Sequence, residues 1–281
     1  MSETIEKFNK HVMQTYGRLP IVLEKGHNDD AVDENGKKYI DFGSGIGTNS
    51  LGYCNDKWAD AVCAQARAIQ HTSNYFYTKV QADFAAKLCE LTGYTDVFFG
   101  NSGAEANECA IKLARKYSFD KYGKGRHTIV TLVNSFHGRT LATLSATGQD
   151  VFHNYFFPFV EGFVNVPAND IDALRKLIAE DKTICAVMFE FVQGEGGVNP
   201  LDKAFVDEIF KLCGENDILT VADEVQTGVG RTGAILTSMR YGVKPDITTL
   251  AKGIAGGVPM GACLADEKCA GCLLYTSDAA D

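Results

Sequence analysis

Short runs of consecutive apolar, β-branched and aromatic residues alternate with longer segments of mixed polarity along most of the chain. The runs are nearly all apolar rather than alternating in polarity, which indicates strands with both faces buried. The predicted strands are residues 97–99, 128–133, 184–191, 218–224, 247–251 and 260–265. Strands of this kind predict a mainly parallel sheet that is covered by helices.

The segments between these runs carry apolar residues at helical spacing. The predicted helices cover residues 55–70, 103–123, 170–180 and 202–213. Asp170 is a plausible N-cap for the third of them. Residues 18–42 are typical of a short hairpin around Asn35-Gly36. The strand–helix alternation that follows predicts an α/β domain.

Composition and charge narrow the class of protein. The 281 residues are enough for one large domain, or for one domain and part of another. Apolar residues make up 45% and charged residues 22%, and the net charge of −9 argues against a nucleic-acid binder. We expect no targeting peptide, because the first residues lack a basic segment followed by an apolar one. Membrane association is not expected either, because no apolar run approaches membrane-spanning length.

The nine cysteines are scattered and odd in number, which is typical of reduced thiols in a cytoplasmic protein. Cys63, Cys89, Cys109 and Cys213 are expected in the core, because they lie among helix-forming residues. Cys269 and Cys272 form a C-x-x-C pair, which occurs in metal and redox sites. No second pair lies nearby, so we expect no metal site.

Two polar motifs directly follow predicted strands and suggest ligand binding. In Asn101–Ala106, Gly103 would let the backbone approach a ligand, and the N–H groups at a helix start would bind a phosphate. The alternative is a simple strand-to-helix turn with no ligand, which would have the same sequence pattern. In Ser135–Thr140, Phe136 could stack on a flat ligand and Arg139 could bind a carboxylate through two hydrogen bonds. The alternative is a core phenylalanine beside a solvated arginine.

Two further motifs place a charged side chain at the end of an apolar strand. Asp223 ends the strand ILTVAD, where an unpaired charge would be costly, so a cationic partner is expected. A capping aspartate in a turn is the alternative. Lys252 follows the strand ITTLA, and partial burial would lower its pKa and make it an amine nucleophile. Otherwise it is a lysine whose amine extends from the strand end to water.

The four motifs together are more specific than any one of them. Each lies just beyond the C-terminal end of a predicted parallel strand, which is where open α/β sheets bind ligands. Together they supply a phosphate site, a stacking aromatic ring, a buried acid and a lysine. Pyridoxal 5'-phosphate (PLP) needs these four groups for its phosphate, its ring, its pyridine nitrogen and its aldehyde.

The chain resembles the class III (ornithine-type) aminotransferases of PLP fold type I from about Thr15 to about Ala270. The segments that carry the resemblance are DENGKKYIDFGSGIG, FFGNSGAEANECAIKLAR, SFHGRT, FEFVQGEGGV, ADEVQTGVGRTG and TLAKGIAGGVPMGA. Within the family, NSGAEANE and VQGEGGV resemble the acetylornithine-type members most. This resemblance implies transfer of the terminal amine of N-acetylornithine, or of a related ω-amino acid, to 2-oxoglutarate.

The resemblance also implies roles for single residues. Lys252 would form the Schiff base with PLP and then move the proton between substrate carbon and cofactor. Asp223 would hold the pyridine nitrogen protonated. Val225 would pack behind the ring, Phe136 would stack on its other face, and Gln226 would lie near its phenolic oxygen.

Other residues are implied at the phosphate and in the substrate pocket. Those implied to bind the phosphate are Ser102, Gly103 and Ala104. Those implied to bind the substrate or to shape its pocket are Arg139, Tyr16, Glu190 and Glu195. Arg139 would bind the remote carboxylate of the substrate, and Glu195 would pair with an arginine near the C-terminus.

The resemblance sets expectations for domain organisation. Residues 1–45 would form an N-terminal segment on the small-domain side, and residues 46–271 an incomplete PLP-binding large domain. The ending LLYTSDAAD departs from the family pattern, so residues 272–281 are expected to be a non-native tail. A C-terminal small domain would be missing. The intact enzyme would be a homodimer, and the 281-residue chain alone would be inactive.

Two alternatives to an acetylornithine-type enzyme remain open at this point. One is another class III enzyme that uses ornithine, succinylornithine, succinyldiaminopimelate or 4-aminobutyrate, with glutamate-semialdehyde aminomutase less favoured. The other is a non-catalytic chain that only binds the cofactor.

Overall fold

A computed structural model of the protein describes residues 2–273. These residues form two compact units, of which the first ends at His71 and the second begins at Thr72. The domain boundary expected after residue 45 stays a prediction. Of the expected non-native tail, residues 274–281 lie outside the described part.

The first unit contains a small antiparallel sheet with strand order β1-β2-β3. Its elements are α1 (Glu3–His11), β1 (Leu23–His27), β2 (Asp30–Asp33), β3 (Lys38–Ile40), α2 (Ser44–Gly47) and α3 (Asp56–Ala68). The predicted hairpin is present as β2 and β3, and Gly36 takes a φ of +81° in the turn between them. The predicted helix at 55–70 is confirmed as α3, and the Asn55 side chain caps it.

The described residues of the second unit form a seven-stranded sheet, a short two-stranded ladder and six α-helices. Its helices are α4 (Lys79–Thr92), α5 (Gly103–Tyr122), α6 (Leu141–Ala146), α7 (Ile171–Glu180), α8 (Lys203–Asn216) and α9 (Thr237–Tyr241). The large sheet comprises β4 (Asp96–Gly100), β5 (Thr128–Leu132), β6 (Phe163–Val166), β7 (Ile184–Phe189), β10 (Leu219–Asp223), β11 (Ile247–Leu250) and β12 (Gly261–Ala265). The two-stranded ladder pairs β8 (Val192–Gln193) with β9 (Asn199–Pro200).

The large sheet has the strand order β4-β12-β11-β10-β7-β5-β6. Strand β12 runs antiparallel to both of its neighbours, β4 and β11. The other pairs are parallel, so β4, β11, β10, β7, β5 and β6 all point the same way. Their C-terminal ends therefore lie along one edge of the sheet, and the predicted mainly parallel sheet is confirmed.

Helices cover both faces of this sheet. Ile129 of β5 packs into a cluster with residues of α5, whereas the next residue, Val130, packs with residues of α7 and α8. Successive strand residues point to opposite faces, so these two clusters lie on opposite sides of the sheet. This double burial explains why the strands are almost continuously apolar in the sequence.

The six predicted strands are confirmed to within two residues at each end. The predicted N-cap is also confirmed, because Oδ1 of Asp170 accepts from the backbone N–H of Ala173 at 2.9 Å. Strand β6 was not predicted, because FVNV is short and contains a polar residue. The prediction of a core position was wrong for Cys63, which is exposed. Within residues 2–273, no helix is long and apolar enough to span a bilayer.

Candidate active site

One buried side chain joins all four sequence motifs at the C-terminal edge of the sheet. Asn107 lies in the second turn of α5, and its Nδ2 donates to the carbonyl oxygen of His137 at 2.7 Å and to Oδ2 of Asp223 at 2.8 Å. Its Oδ1 accepts from the Thr249 hydroxyl of β11 at 2.6 Å. The loops after β4 and β5 are thereby tied to the ends of β10 and β11.

The Asp223 carboxylate is buried and surrounded by hydrogen-bond donors. Its Oδ2 contacts both Asn107 Nδ2 and His137 Nδ1, each at 2.8 Å. Its Oδ1 accepts from the backbone N–H of Val225 at 3.0 Å. The residue is 4% exposed. Donors of this kind stabilise an ionised carboxylate in a buried position. All of these donors belong to the protein itself. The cationic partner that the sequence predicts for Asp223 stays a prediction.

The motif after β4 forms the start of the 20-residue helix α5. Ser102 is the N-cap residue, and its Oγ accepts from the backbone N–H of Glu105 at 3.1 Å. Gly103 packs so closely on Val225 that a Cβ there would lie 2.8 Å from Val225 Cγ1. Gly103 and Ala104 therefore place first-turn N–H groups, which have no carbonyl partner within the helix, beside the motif that contains Asp223.

Lys252 begins a short 3-10 helix that is separated from the end of β11 by one residue, and it adopts a left-handed φ of +49°. Its side chain is 21% exposed, and its Nζ lies 4.0 Å from Oε1 of Glu195. Burial lowers the pKa of Lys252, against the opposing effect of the carboxylates of Glu195, Asp223 and Glu190. The sequence-based expectation of a partly buried lysine at this strand end agrees with the structure.

Glu195 and Glu190 differ in their surroundings. Oε1 of Glu195 also accepts from Gln226 Nε2 at 3.1 Å, so Glu195 lies between Gln226 and Lys252. Glu190 is buried, and its carboxylate accepts from the backbone N–H groups of Phe136 at 2.9 Å and Gly194 at 3.2 Å. Burial raises the pKa of Glu190 to about 7. Glu190 thus holds two loops of the site together.

The remaining predicted residues are placed as follows. Phe136 is half-buried, and the Arg139 guanidinium carbon lies 5.8 Å from the centre of its ring. Gly138 adopts a φ of +138°, and a Cβ there would lie 2.5 Å from Thr143 Oγ1, which accounts for the glycine between His137 and Arg139. Tyr16 belongs to the first unit and is 58% exposed, so its role stays a prediction.

Sequence reasoning missed Asn107, His137 and Thr249. One signal was available for Asn107, because it is a polar residue among the mostly apolar residues of a buried helix face. Nothing comparable marks His137 or Thr249, since each lies in a segment that already contains polar residues. Among the described residues, no group of three or more His, Cys, Asp or Glu side chains could hold a metal ion.

Comparisons with known proteins agree with this arrangement. The family model described as Aminotransferase class-III matches residues 12–279. An acetylornithine aminotransferase of Haemophilus ducreyi is 53% identical over 260 residues, which cover 92% of this chain and 66% of that protein. An acetylornithine aminotransferase of Caldanaerobacter subterraneus is 48% identical over 264 residues, covering 94% and 66%. The chain thus spans about two thirds of the length of these relatives.

Solved structures share the fold. The ornithine aminotransferase of Toxoplasma gondii superposes with a TM-score of 0.92 at 32% identity, covering 97% of this chain and 65% of that one. An acetylornithine aminotransferase of Elizabethkingia anophelis gives a TM-score of 0.82 at 33% identity, covering 95% and 64%. The expected α/β large domain of PLP fold type I is confirmed.

Proposed function

Because the chain belongs to the class III aminotransferases, we propose that its protein is a PLP-dependent transaminase that uses N-acetylornithine, or a related ω-amino acid, and 2-oxoglutarate. The observation that carries this proposal is the convergence of Lys252 and Asp223 on one sheet edge, where β11 and β10 are neighbours. The chain spans 66% of the two relatives described above, so activity, substrates and partners all belong to the proposal.

The residues at this edge fit PLP. A buried carboxylate at Asp223 suits a pyridinium nitrogen, because a hydrogen bond between opposite charges is stronger than a neutral one. The first turn of α5 suits a phosphate, because helix N-termini attract anions, and a side chain at position 103 would clash with Val225. When bound, PLP supplies an electrophilic aldehyde and an electron-withdrawing ring that stabilises negative charge on the substrate carbon.

Lys252 provides the amine for this chemistry. Burial lowers its pKa, so a larger fraction of Nζ is unprotonated near neutral pH than for a surface lysine. An unprotonated amine is a nucleophile, and it can also take a proton from the substrate carbon and return it elsewhere. The neighbouring Glu195, 4.0 Å away, favours the protonated form and therefore helps Nζ to hold that proton.

Asp223 would hold the cofactor nitrogen in its charged form. Asn107 and His137 both contact Oδ2, and the Val225 N–H is bonded to Oδ1. These contacts fix the direction of the carboxylate. A charge-assisted hydrogen bond from a ring nitrogen to this group would be stronger than a neutral one and would keep the ring electron-withdrawing.

Arg139 is proposed to bind the substrate carboxylate, and Phe136 is proposed to stack on the cofactor ring. Arg139 is exposed at the end of the motif that also contains the half-buried Phe136. A guanidinium binds a carboxylate through two parallel hydrogen bonds, which would orient the substrate with its amine towards Lys252. Gln226 lies beside Glu195 and close to Lys252, a position that suits a donor to the phenolic oxygen of the cofactor.

The similarity to relatives favours N-acetylornithine among the possible amine donors. The two curated relatives named above are acetylornithine aminotransferases at 53% and 48% identity. Ornithine is the second candidate, because the ornithine aminotransferase structure has the higher TM-score of the two compared, 0.92 against 0.82. We further propose a homodimer in the cytoplasm.

An amine-transfer assay on the full-length protein tests the proposal. Purified protein with PLP would be given 2-oxoglutarate with N-acetylornithine, ornithine, succinylornithine or 4-aminobutyrate, and glutamate formation would be measured. We expect the highest kcat/KM for N-acetylornithine. A higher kcat/KM for another donor would reassign the substrate, and no transfer from any donor would contradict the proposed activity.

A further inference from the structure

The guanidinium of Arg139 lies against a second aromatic ring besides Phe136. Its Cζ is 5.8 Å from the centre of the Phe136 ring and 6.0 Å from the centre of the Phe152 ring. The two rings meet edge to face, with centroids 5.6 Å apart and an interplanar angle of 63°. Phe152 is half-buried and comes from a different segment of the chain, the 3-10 helix Asp150–Phe152.

From this contact, and resting on the proposed function, we propose that Phe152 is a positioning residue that determines specificity for substrates with a remote carboxylate. It acts through Arg139. A cation near an aromatic ring is attracted by the charge distribution of that ring. Two rings within 6.0 Å of the guanidinium carbon also limit the conformations open to the arginine side chain, which favours one position for an ion pair with a carboxylate.

The backbone holds Phe152 in place. The segment before it is hydrogen-bonded to the loop after β5, because the Asn134 N–H donates to the Gly148 carbonyl at 2.7 Å and the Gly148 N–H donates to Ser135 Oγ at 3.0 Å. Gln149 Nε2 donates to the Ser135 carbonyl at 3.1 Å. Both rings are therefore anchored to the same strand end, and their distance to Arg139 is set by the fold.

A pair of substrates that differ in one group tests this role. N-acetylputrescine has the acetamide and the terminal amine of N-acetylornithine but carries a hydrogen in place of the carboxylate. In the PLP-loaded full-length protein, Phe152→Leu should lower kcat/KM for N-acetylornithine about three- to tenfold, the size expected for a lost cation–π contact. Most of the change should appear in KM, and kcat/KM for N-acetylputrescine should stay within about twofold.

Two control variants distinguish a specific effect of the Phe152 ring from a general disturbance of the structure. Phe152→Tyr keeps the ring and should keep the wild-type preference between the two amines. Phe156→Leu makes the same change at a 57%-exposed position in the following segment and should leave the preference unchanged. A loss of preference in Phe156→Leu equal to that in Phe152→Leu would overturn the proposal.

A double-mutant cycle tests whether Phe152 acts through Arg139. Arg139→Gln should lower the preference by itself, and adding Phe152→Leu should have no further effect. Full additivity of the two changes would sink the proposal, and so would an unchanged preference in Phe152→Leu.

A binding measurement distinguishes failure of this proposal from failure of the proposed activity. Glutarate has two carboxylates and no group that can exchange an amine. We expect Phe152→Leu to raise the Kd of glutarate about three- to tenfold and Phe152→Tyr to leave it unchanged. If the wild-type protein transfers no amine, the proposed function fails and the role of Phe152 is decided by glutarate alone. An unchanged Kd in Phe152→Leu would then contradict it.

Discussion

Nδ1 of His137 lies 2.8 Å from Oδ2 of Asp223, and both side chains are buried. An ionised carboxylate only accepts hydrogen bonds, so the imidazole donates through Nδ1. Nε2 of His137 has no hydrogen-bond partner among the described residues. A buried N–H without an acceptor is costly, which favours the tautomer that carries its only proton on Nδ1.

Replacing His137 should therefore leave the Asp223 carboxylate less firmly oriented. His137→Leu removes the donor, and a hydrogen bond to a charged group contributes about 1.5–3 kcal/mol, so we expect kcat to fall about ten- to a hundredfold. His137→Asn places an amide N–H near the position of Nδ1 and should recover most of the activity. The measurement is kcat together with the absorbance spectrum of the bound cofactor.

The tautomer itself can be observed. ¹⁵N NMR of protein labelled at histidine should show His137 with a protonated Nδ1 and an unprotonated Nε2. A spectrum with the proton on Nε2, or equal activity in the Leu and Asn variants, would show that His137 does not support Asp223 in this way.

Lys252 should be the residue that becomes covalently attached to PLP. Its amine is partly buried and burial lowers its pKa, which favours attack by Nζ on the cofactor aldehyde. Borohydride reduction followed by peptide mapping should find the pyridoxyl group on Lys252. Lys252→Ala should abolish amine transfer and still permit some non-covalent binding of PLP. Recovery of the label on another lysine would refute the assignment.

Asp223 should be required for turnover rather than for folding alone. Asp223→Ala removes the carboxylate that Asn107 Nδ2 and His137 Nδ1 share, and we expect turnover to fall by orders of magnitude. Asp223→Asn keeps the shape of the side chain without its charge and should be similarly impaired, while its thermal unfolding changes less than that of the Ala variant. Near-native turnover in either variant would mean that Asp223 only caps the turn.

Glu190 should make the stability of the protein depend on pH. Burial raises its pKa to about 7 from an ordinary value of 4.5. Between these two values the folded state binds more protons than the unfolded chain, so the free energy of unfolding falls as the pH rises through this window. The contribution is fully present below pH 4.5 and is lost above about pH 7.

Glu190→Gln removes the titrating group and should flatten this part of the pH dependence. Urea unfolding at several pH values between 5 and 8 would measure it in both proteins, with Glu195→Gln as a control at an exposed carboxylate of the same loop. If wild type and Glu190→Gln lose stability in parallel across the window, the pH dependence comes from other groups.

The elements and the chemistry of the site could be predicted from the sequence because their signals are local. A strand that is buried on both faces needs apolar residues at consecutive positions, as in residues 184–189. A charged side chain directly after such a strand, as at Asp223 and Lys252, is costly without a function. These local signals, together with the resemblance, identified the cofactor and the residues proposed to bind it.

The neighbours of each strand and the partners of each buried polar group depend on the tertiary structure. Strand β12 was recognised as a strand, but its antiparallel direction between β4 and β11 depends on the path of the preceding loop. Asn107 and Asp223 are separated by 116 positions, and His137 and Asp223 by 86. A single sequence contains no signal that pairs residues so far apart. Such contacts exist because six parallel strands bring their C-terminal ends to one edge, where burial favours hydrogen bonds between polar groups that are distant in the sequence.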